Sequence, residues 1–329
     1  MKPREAVIAV TDRCNARCQM CNIWRVDRVD EMEPRHYAKL SSSLKTINIT
    51  GGEPFIRKDL VEVVRHIHSS APASRIVFST NGFLTETILA VVAEVKTFLP
   101  GVGVGVSIDG PEETHDAIRG VKGAFRQATS TIAGLKKEGL RDLRIGMILM
   151  NENAGHVAAV YELSKRLGVA FNTTFVHNSE IFYRKSDNVP PGPSRSLAAS
   201  LDQVRLSQLR SGSAKEWFKA YHTQGIMDAG LRKGFISRCK AGSQTFFMSP
   251  SGDVFPCFVM NMPMGNLRQV NEWEALFKND IEEKTRRAVL DCREDCWTVC
   301  NTRSLIASHP IRAGLWVAKN KLEAHWHRG

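Results

Sequence analysis

The sequence predicts an α/β fold, a partial (β/α)6 barrel of the TIM type with a small C-terminal extension. Three observations carry that prediction. Up to residue 176, apolar runs of strand length alternate with amphipathic runs of helix length. The alternation recurs about every 30 residues, the length of one strand–helix–strand unit. Polar, chemistry-bearing residues fall at the ends of successive strands, the edge at which parallel barrels bind ligands. Six units are fewer than the eight that close a full barrel, so this one is expected to stay partial.

Residues 5–11, EAVIAVT, read as a buried strand that stops at a group of cysteines. After a polar loop, PRHYAKL (34–40) reads as a helix with Pro34 at its start, where a missing N–H costs little. KTINIT (45–50) is a strand running into GGEP (51–54), and KDLVEVVRHIHSS (58–70) is an amphipathic helix. RIVFST (75–80) is a strand ending at NG, followed by the helix TETILAVVAEVKTFL (85–99). GVGVGVSIDG (101–110) gives the fourth strand and AFRQATSTIAGLKKEG (124–139) a helix. LRIGMILM (143–150), AGHVAAVYELSKRLG (154–168) and AFNTTFV (170–176) complete the series as strand, helix and strand. The texture then changes. YRKSDNVPPGPSRS (183–196) is rich in Pro and Ser and reads as a linker. Helical stretches follow at 194–211 and 214–230, and the tail IRAGLWVAKNKLEAHWHRG reads as a basic, partly amphipathic helix. The expected division is 1–190 for the barrel, 191–235 for linker helices, 236–305 for the extension and 306–329 for the terminal helix.

Composition narrows the function. The formal charge of +11 is scattered, with no basic run and no interleaved aromatics, so nucleic acid is not an expected partner. No apolar run approaches the roughly 18 residues that span a bilayer. The start, MKPREAVIAVTDRC, lacks a signal-peptide pattern, so the cytoplasm is the expected location. Eight cysteines fall in two groups, Cys14, Cys18 and Cys21, then Cys239, Cys257, Cys292, Cys296 and Cys300. Without an export signal, metal or catalysis explains them better than disulfides.

Cys14-x3-Cys18-x2-Cys21 supplies three thiols, whereas a structural zinc knuckle takes four ligands. A [4Fe–4S] cluster held by three thiolates keeps one iron open to a further ligand. CxxxCxxC after the first strand, GGEP after the second and SIDG after the fourth together resemble the radical S-adenosylmethionine (radical SAM) superfamily, over residues 5–176. The resemblance implies that the open iron chelates SAM and that an electron from the cluster cleaves it. The products are methionine and a 5′-deoxyadenosyl radical, which takes a hydrogen atom from substrate. It also implies a reductase or flavodoxin-type electron donor. Family members usually carry an aromatic residue before the third cysteine; here it is Met20.

By the same resemblance, Gly51, Gly52, Glu53 and Pro54 receive the SAM ammonium, the glycines allowing close backbone approach. Ser79, Thr80 and Asn81 end the third strand facing ribose or substrate. Ser107 and Asp109 end the fourth, and Arg119 pairs with the SAM carboxylate. Asn151 and Asn153 reach the adenine side. The piece from Cys239 through SGDVFPC to Cys257, with MGNL (264–267), resembles the SPASM and twitch extensions that hold auxiliary [4Fe–4S] clusters. A full SPASM module uses seven cysteines for two clusters; five imply one auxiliary cluster and one spare thiol. Cys239, Cys257, Cys296 and Cys300 are the expected ligands and Cys292 the expected catalytic thiol, although spacing leaves open which of the last three is spare. A structural zinc site is the bland alternative.

Substrate contacts are expected from Asn172, Thr174, His177 and Asn178, with His177 as a catalytic base. The expected substrate is a small polar molecule, such as a sugar or aminocyclitol, that is oxidised or epimerised. A peptide crosslinking maturase is the alternative. The chain begins at its first strand, without a leader-binding domain, which weighs against that alternative. A lipid-linked substrate is a third reading. It draws on Leu315, Trp316, Leu322 and Trp326 among Arg312, Lys319, Lys321 and Arg328, a composition suited to peripheral membrane contact.

Overall fold

The computed structural model describes residues 2–27, 29–230, 239–277, 280–294 and 296–326. Six parallel strands form its centre: β1 (Glu5–Ala9), β2 (Thr46–Thr50), β3 (Arg75–Thr80), β4 (Gly103–Ser107), β5 (Asp142–Leu149) and β6 (Ala170–Phe175). Their spatial order follows the chain, each strand pairing in parallel with the next. Helices cross between them: α1 (Leu60–Ser70), α2 (Thr85–Phe98), α3 (Glu112–Arg119), α4 (Ala124–Lys137) and α5 (Val157–Leu167). This is the partial barrel the sequence predicts.

Alternation sets what each face carries. Ile47 and Ile49 of β2 are fully buried and join Val63, Val64 and Ile67 of α1 in the main core. Asn48, between them, turns the other way and accepts a hydrogen bond from Ser79 of β3. Along β5, Leu143, Ile145, Met147 and Leu149 are buried while Arg144, Gly146 and Ile148 are less so. Apolar residues thus seal the helix side, and polar ones collect on the concave side.

Several elements differ from expectation. PRHYAKL is a 3-10 helix, Pro34–Lys39. The fifth helix is preceded by a 3-10 turn, Asn151–His156. Helix α3 lay outside the sequence pattern; it is short, its first turn holds Glu112 and Glu113, and it buries only His115, Ile118 and Arg119. The sheet also continues beyond β1. After the helices α6 (Arg195–Arg210) and α7 (Ala214–Gly230), strand β7 (Thr245–Met248) pairs in parallel with β1. Strands β8 (Asp253–Phe255) and β9 (Gly265–Asn266) add in antiparallel fashion. The cysteine-bearing extension therefore grows out of the barrel's own sheet. Helices α8 (Ile281–Asp291), α9 (Val299–Ser308) and α10 (Pro310–Trp326) follow. Helix α10 packs on α6 and α7 through Ala324 and Trp316, and leaves Ile311, Leu315 and Leu322 exposed. Arg328 lies outside the described residues. Among the described residues no helix is long and apolar enough to cross a membrane.

Candidate active site between two cysteine groups

The first cysteine loop leaves β1 and is gripped from three sides. The β2 loop donates Gly52 N–H to Thr11 O and Glu53 N–H to Arg13 O, each at 2.8 Å. The end of α3 accepts Arg17 N–H at Arg119 O and Gln19 N–H at Ile118 O, each at 2.9 Å. On the third side Asn22 N–H donates to Tyr183 O at 2.7 Å. Each sulfur meets one N–H donor: Ala16 N at 3.5 Å from Cys14 Sγ, Arg119 Nη1 at 3.7 Å from Cys18 Sγ, and Ile23 N at 3.5 Å from Cys21 Sγ. Met20, Ile118, Met150 and Val176 wall one side of Cys18 and Cys21, and Ala16, Phe83 and Ala124 wall Cys14. Burial pushes the Cys14 and Cys21 thiols up to about 12 and raises Cys18, which Arg119 partly opposes.

The expected SAM-side residues surround this loop. Glu53 is fully buried, and both carboxyl oxygens are taken, Oε1 by Phe55 N–H and the Thr80 hydroxyl, Oε2 by Asn81 N–H at 2.8 Å. Burial raises it to about 7, against those hydrogen bonds. The Glu53 carboxyl ties the GGEP turn to the end of β3. Pro54 is buried at the start of the 3-10 helix Pro54–Ile56. The glycines have a structural task beside this. A Cβ on Gly51 would lie 2.4 Å from Thr11 O, and one on Gly52 2.2 Å from Arg13 O. The close approach they permit is to the cysteine loop's own backbone. Asn81 Nδ2 donates to Asn15 Oδ1 at 2.7 Å, a further tie to that loop.

Arg119 pairs with Asp109 at 2.6 Å, both buried. The Asp109 charge raises the Arg119 pKa although burial alone would lower it. Asp109 is fixed in turn by Ile148 N–H on Oδ1 and by its own N–H to His115 Nδ1. Arg119 thus already has a carboxylate partner within the protein. Ser107 ends β4, half-buried. Asn151 is exposed at the start of its turn. Asn153 is fully buried and donates to Asp109 O and Ile148 O, bracing strand ends.

The second group divides into four thiols and one. Cys239, Cys257, Cys292 and Cys296 lie within one another's electrostatic reach. Burial raises Cys239, Cys257 and Cys296, pushing Cys257 up to about 11. Ala241 N–H faces Cys239 Sγ at 3.4 Å and Met260 N–H faces Cys257 Sγ at 3.3 Å. Cys300 instead turns to Glu5 and Arg303, with its thiol on the Glu5 carboxylate. Glu5 is the first residue of β1, the end remote from the first cysteine loop. Cys300 is thus set apart from the other four, and Cys292, although exposed, lies on the side of Cys239, Cys257 and Cys296. Trp297 fixes this arrangement. It is buried, donates Nε1–H to His222 O at 2.8 Å and accepts the Thr174 hydroxyl at its carbonyl. Gly225 lies so close beneath it that a Cβ would meet the indole at 1.9 Å.

Both groups fit iron–sulfur clusters. The three sulfurs of the first group face N–H donors inside apolar walls, and Cys239 and Cys257 of the second face backbone N–H donors, surroundings that stabilise thiolates on a cluster. Among the described residues no three Cys, His, Asp or Glu side chains are close enough to share a single metal ion.

His177 lies between the groups, buried, with Nδ1 4.0 Å from Cys296 Sγ and no partner for Nε2. Burial lowers it to about 4, so it is neutral at pH 7. Phe258 stands against it at 5.8 Å between centroids, and Tyr183 against Phe258 at 6.2 Å. Burial raises the Tyr183 pKa, and its electrostatic surroundings are Cys21, Arg119, Asp109 and Cys18. Sequence reasoning missed Tyr183 because it sits in the stretch read as a linker; an aromatic residue in an otherwise Pro/Ser-rich run was the available signal. Asn178 Nδ2 donates to Asn188 O at 3.2 Å.

The radical SAM superfamily profile matches residues 8–164, and the SPASM iron–sulfur cluster-binding domain profile matches residues 239–301. The chain belongs to the radical SAM superfamily and carries a SPASM domain, and its cofactors are SAM, a SAM-binding [4Fe–4S] cluster and auxiliary iron–sulfur chemistry. It is 28% identical over 288 residues to an AdoMet-dependent heme synthase of Methanosarcina barkeri, covering 81% of this chain and 80% of the relative. It is 25% identical over 296 residues to AlbA of Bacillus subtilis, an antilisterial bacteriocin subtilosin biosynthesis protein, covering 87% of this chain and 62% of AlbA. Its fold matches native anSMEcpe, solved with bound AdoMet and a Cp18Cys peptide, at a TM-score of 0.62 and 16% identity, covering 96% and 99% of the two chains.

Proposed function

We propose that this radical SAM enzyme oxidises its substrate by two electrons, with one auxiliary [4Fe–4S] cluster as the electron acceptor. When bound, SAM and the clusters supply the 5′-deoxyadenosyl radical that abstracts hydrogen and the acceptor for the electron left behind. Cys14, Cys18 and Cys21 hold the first cluster; Cys239, Cys257, Cys292 and Cys296 hold the second. Asp109 and Arg119 keep charge balanced beside Cys18, and the backbone carbonyls of the GGEP turn offer the ammonium contact. His177, neutral and with a free Nε2, holds or takes a proton at the substrate. The observation that carries oxidation over epimerisation is the position of Cys300. The spare thiol faces Glu5 at the start of β1, the end remote from the first cysteine loop, so it is not placed to return a hydrogen atom at the site.

The substrate class we propose is a peptide, with modification at a side chain or its backbone carbon. Tyr183, Phe182 and Phe258 pack on one another beside His177, while Ser79, Asn81, Asp109 and Asn153 are bonded within the protein. A sugar or aminocyclitol would find few free polar partners there. The bacteriocin biosynthesis relative supports the peptide reading. Macrocycle oxidation is the second reading, supported by the heme synthase relative and its even coverage. A cytoplasmic location and a flavodoxin-type donor accompany the proposal. The exposed line of Ile311, Leu315 and Leu322, flanked by exposed Arg312 and Lys319, supports peripheral membrane contact, tested by co-sedimentation with anionic vesicles and its loss in Ile311→Asp/Leu315→Asp.

The test is an incubation of reconstituted enzyme with SAM, reductant and peptides encoded beside its gene, or with porphyrin precursors. A product lighter by two hydrogen atoms, formed with stoichiometric 5′-deoxyadenosine, supports oxidation. A product of unchanged mass with inverted configuration refutes it.

A further inference from the structure

The stretch after β6, read from sequence as the start of a linker, touches both cysteine groups. Asn188 is its anchor. It is 8% exposed, and its Nδ2 donates at 3.0 Å both to Met20 O and to His177 O. Met20 lies between Cys18 and Cys21 in the chain, and the His177 ring faces Cys296. One amide therefore bridges the first cysteine loop to the residue that meets the second group. The stretch is braced internally. Asn188 N–H donates to Asn178 Oδ1 at 2.7 Å, and Ser179 and Lys185 exchange both backbone hydrogen bonds.

Further ties run in both directions. Toward the first loop, Lys185 Nζ donates to Gln19 O at 2.9 Å, and Asn22 Nδ2 to Arg184 O at 3.2 Å. Toward the second, the Ser179 hydroxyl donates to Phe258 O, beside Cys257, and Asn261 Nδ2 donates to Glu180 Oε2 at 3.0 Å. A plain surface linker would show none of this pairing with distant segments.

We propose that residues 177–188 are a strap coupling the two cluster sites, with Asn188 as the positioning residue that holds loop 19–22 in register with His177. Filling the second site fixes His177 and Phe258, the strap passes that order to Met20, and the first loop keeps its cluster more firmly. The coupling is reciprocal, as any equilibrium linkage must be. The inference rests on the reading that both cysteine groups hold clusters.

The test counts iron first and then follows iron loss to a chelator in anaerobic protein. Six proteins are compared: wild type, Asn188→Ala, Asn188→Asp, Lys185→Met, Cys239→Ser/Cys292→Ser, and Asn188→Ala combined with that double variant. In wild type, about eight irons, four per cluster, establish the underlying reading; about four would remove it and the strap together. Given two clusters, emptying the second site is expected to speed iron loss from the first several-fold. Asn188→Ala alone does the same while its second cluster is retained, and the combination adds nothing further. Lys185→Met, a half-exposed change, moves the rate in the same direction, and Asn188→Asp, which lacks the Nδ2 donor, fails to rescue. Rates that multiply in the combination, or an Asn188→Ala protein with wild-type release, would overturn the strap. Loss of iron from both sites at once in Asn188→Ala, with wild-type behaviour in Lys185→Met, would also overturn it, as a general folding defect.

Discussion

Gly52 and Arg13 touch through their backbones: a Cβ at position 52 would lie 2.2 Å from the Arg13 carbonyl oxygen. The next residue's N–H closes the contact by donating to that same oxygen at 2.8 Å. The glycine pair of GGEP thus shapes the loop that carries Cys14, Cys18 and Cys21.

Gly52→Ala should therefore separate the two loops. Overpacking of this kind costs about 1–3 kcal/mol, and here the strain falls on the cysteine loop. The expected result is loss of the first cluster's iron with retention of the second's, read by iron content and EPR. Full iron content in the variant would mean that the loop can shift without consequence.

The Asp109–Arg119 pair gives a second expectation. Arg119→Leu leaves a buried carboxylate without its partner, which costs about 3–5 kcal/mol. Arg119→Leu/Asp109→Asn should recover much of that loss in thermal midpoint. It should not restore SAM cleavage if the guanidinium beside Cys18 matters to the cluster. Equal midpoints for the single and double variants would contradict the pairing.

His222 sets a pH dependence. Its Nδ1 lies 2.7 Å from the Thr302 hydroxyl and its Nε2 2.8 Å from Thr173 O, and burial lowers it from 6.5 to about 4. The unfolded chain binds this proton more readily than the folded one. The stabilisation is therefore complete above about 6.5 and is lost as pH falls through about 4. A shift of this size corresponds to about 3 kcal/mol at most. Denaturation between pH 7 and 4 should show a shallower acid loss in His222→Gln than in wild type. Parallel curves would place the titration elsewhere.

Much of the barrel was legible because its signal is local. Ile47 and Ile49 alternate with Thr46, Asn48 and Thr50, and that pattern needs no knowledge of the rest of the chain. Helix α3 escaped because Glu112, Glu113 and Asp116 mask its narrow buried face. The cysteine spacing announced two groups but not their membership. Cys292, Cys296 and Cys300 are evenly spaced, and only the approach of Glu5, nearly three hundred residues away in sequence and paired with Arg303, turns Cys300 aside. The strap was unreadable for the same reason. Its partners at Gln19, Met20 and Asn22 are distant in the chain, and polar backbone pairing leaves no periodic mark.

Membership of the second group separates two single variants. Cys292→Ser should lose the auxiliary cluster, whereas Cys300→Ser should keep it, with substrate oxidation intact. Loss in Cys300→Ser alone would return Cys300 to the ligand set and revive a hydrogen-donating role for Cys292.

The most direct measurement of the whole account is iron and sulfide content, with EPR of the reduced protein, in wild type and in Cys14→Ala/Cys18→Ala/Cys21→Ala. Two clusters predict about eight irons in wild type and about four in the variant, with a residual signal that SAM no longer perturbs. About four irons in wild type, falling to none in the variant, would contradict an auxiliary cluster and the electron-acceptor mechanism with it.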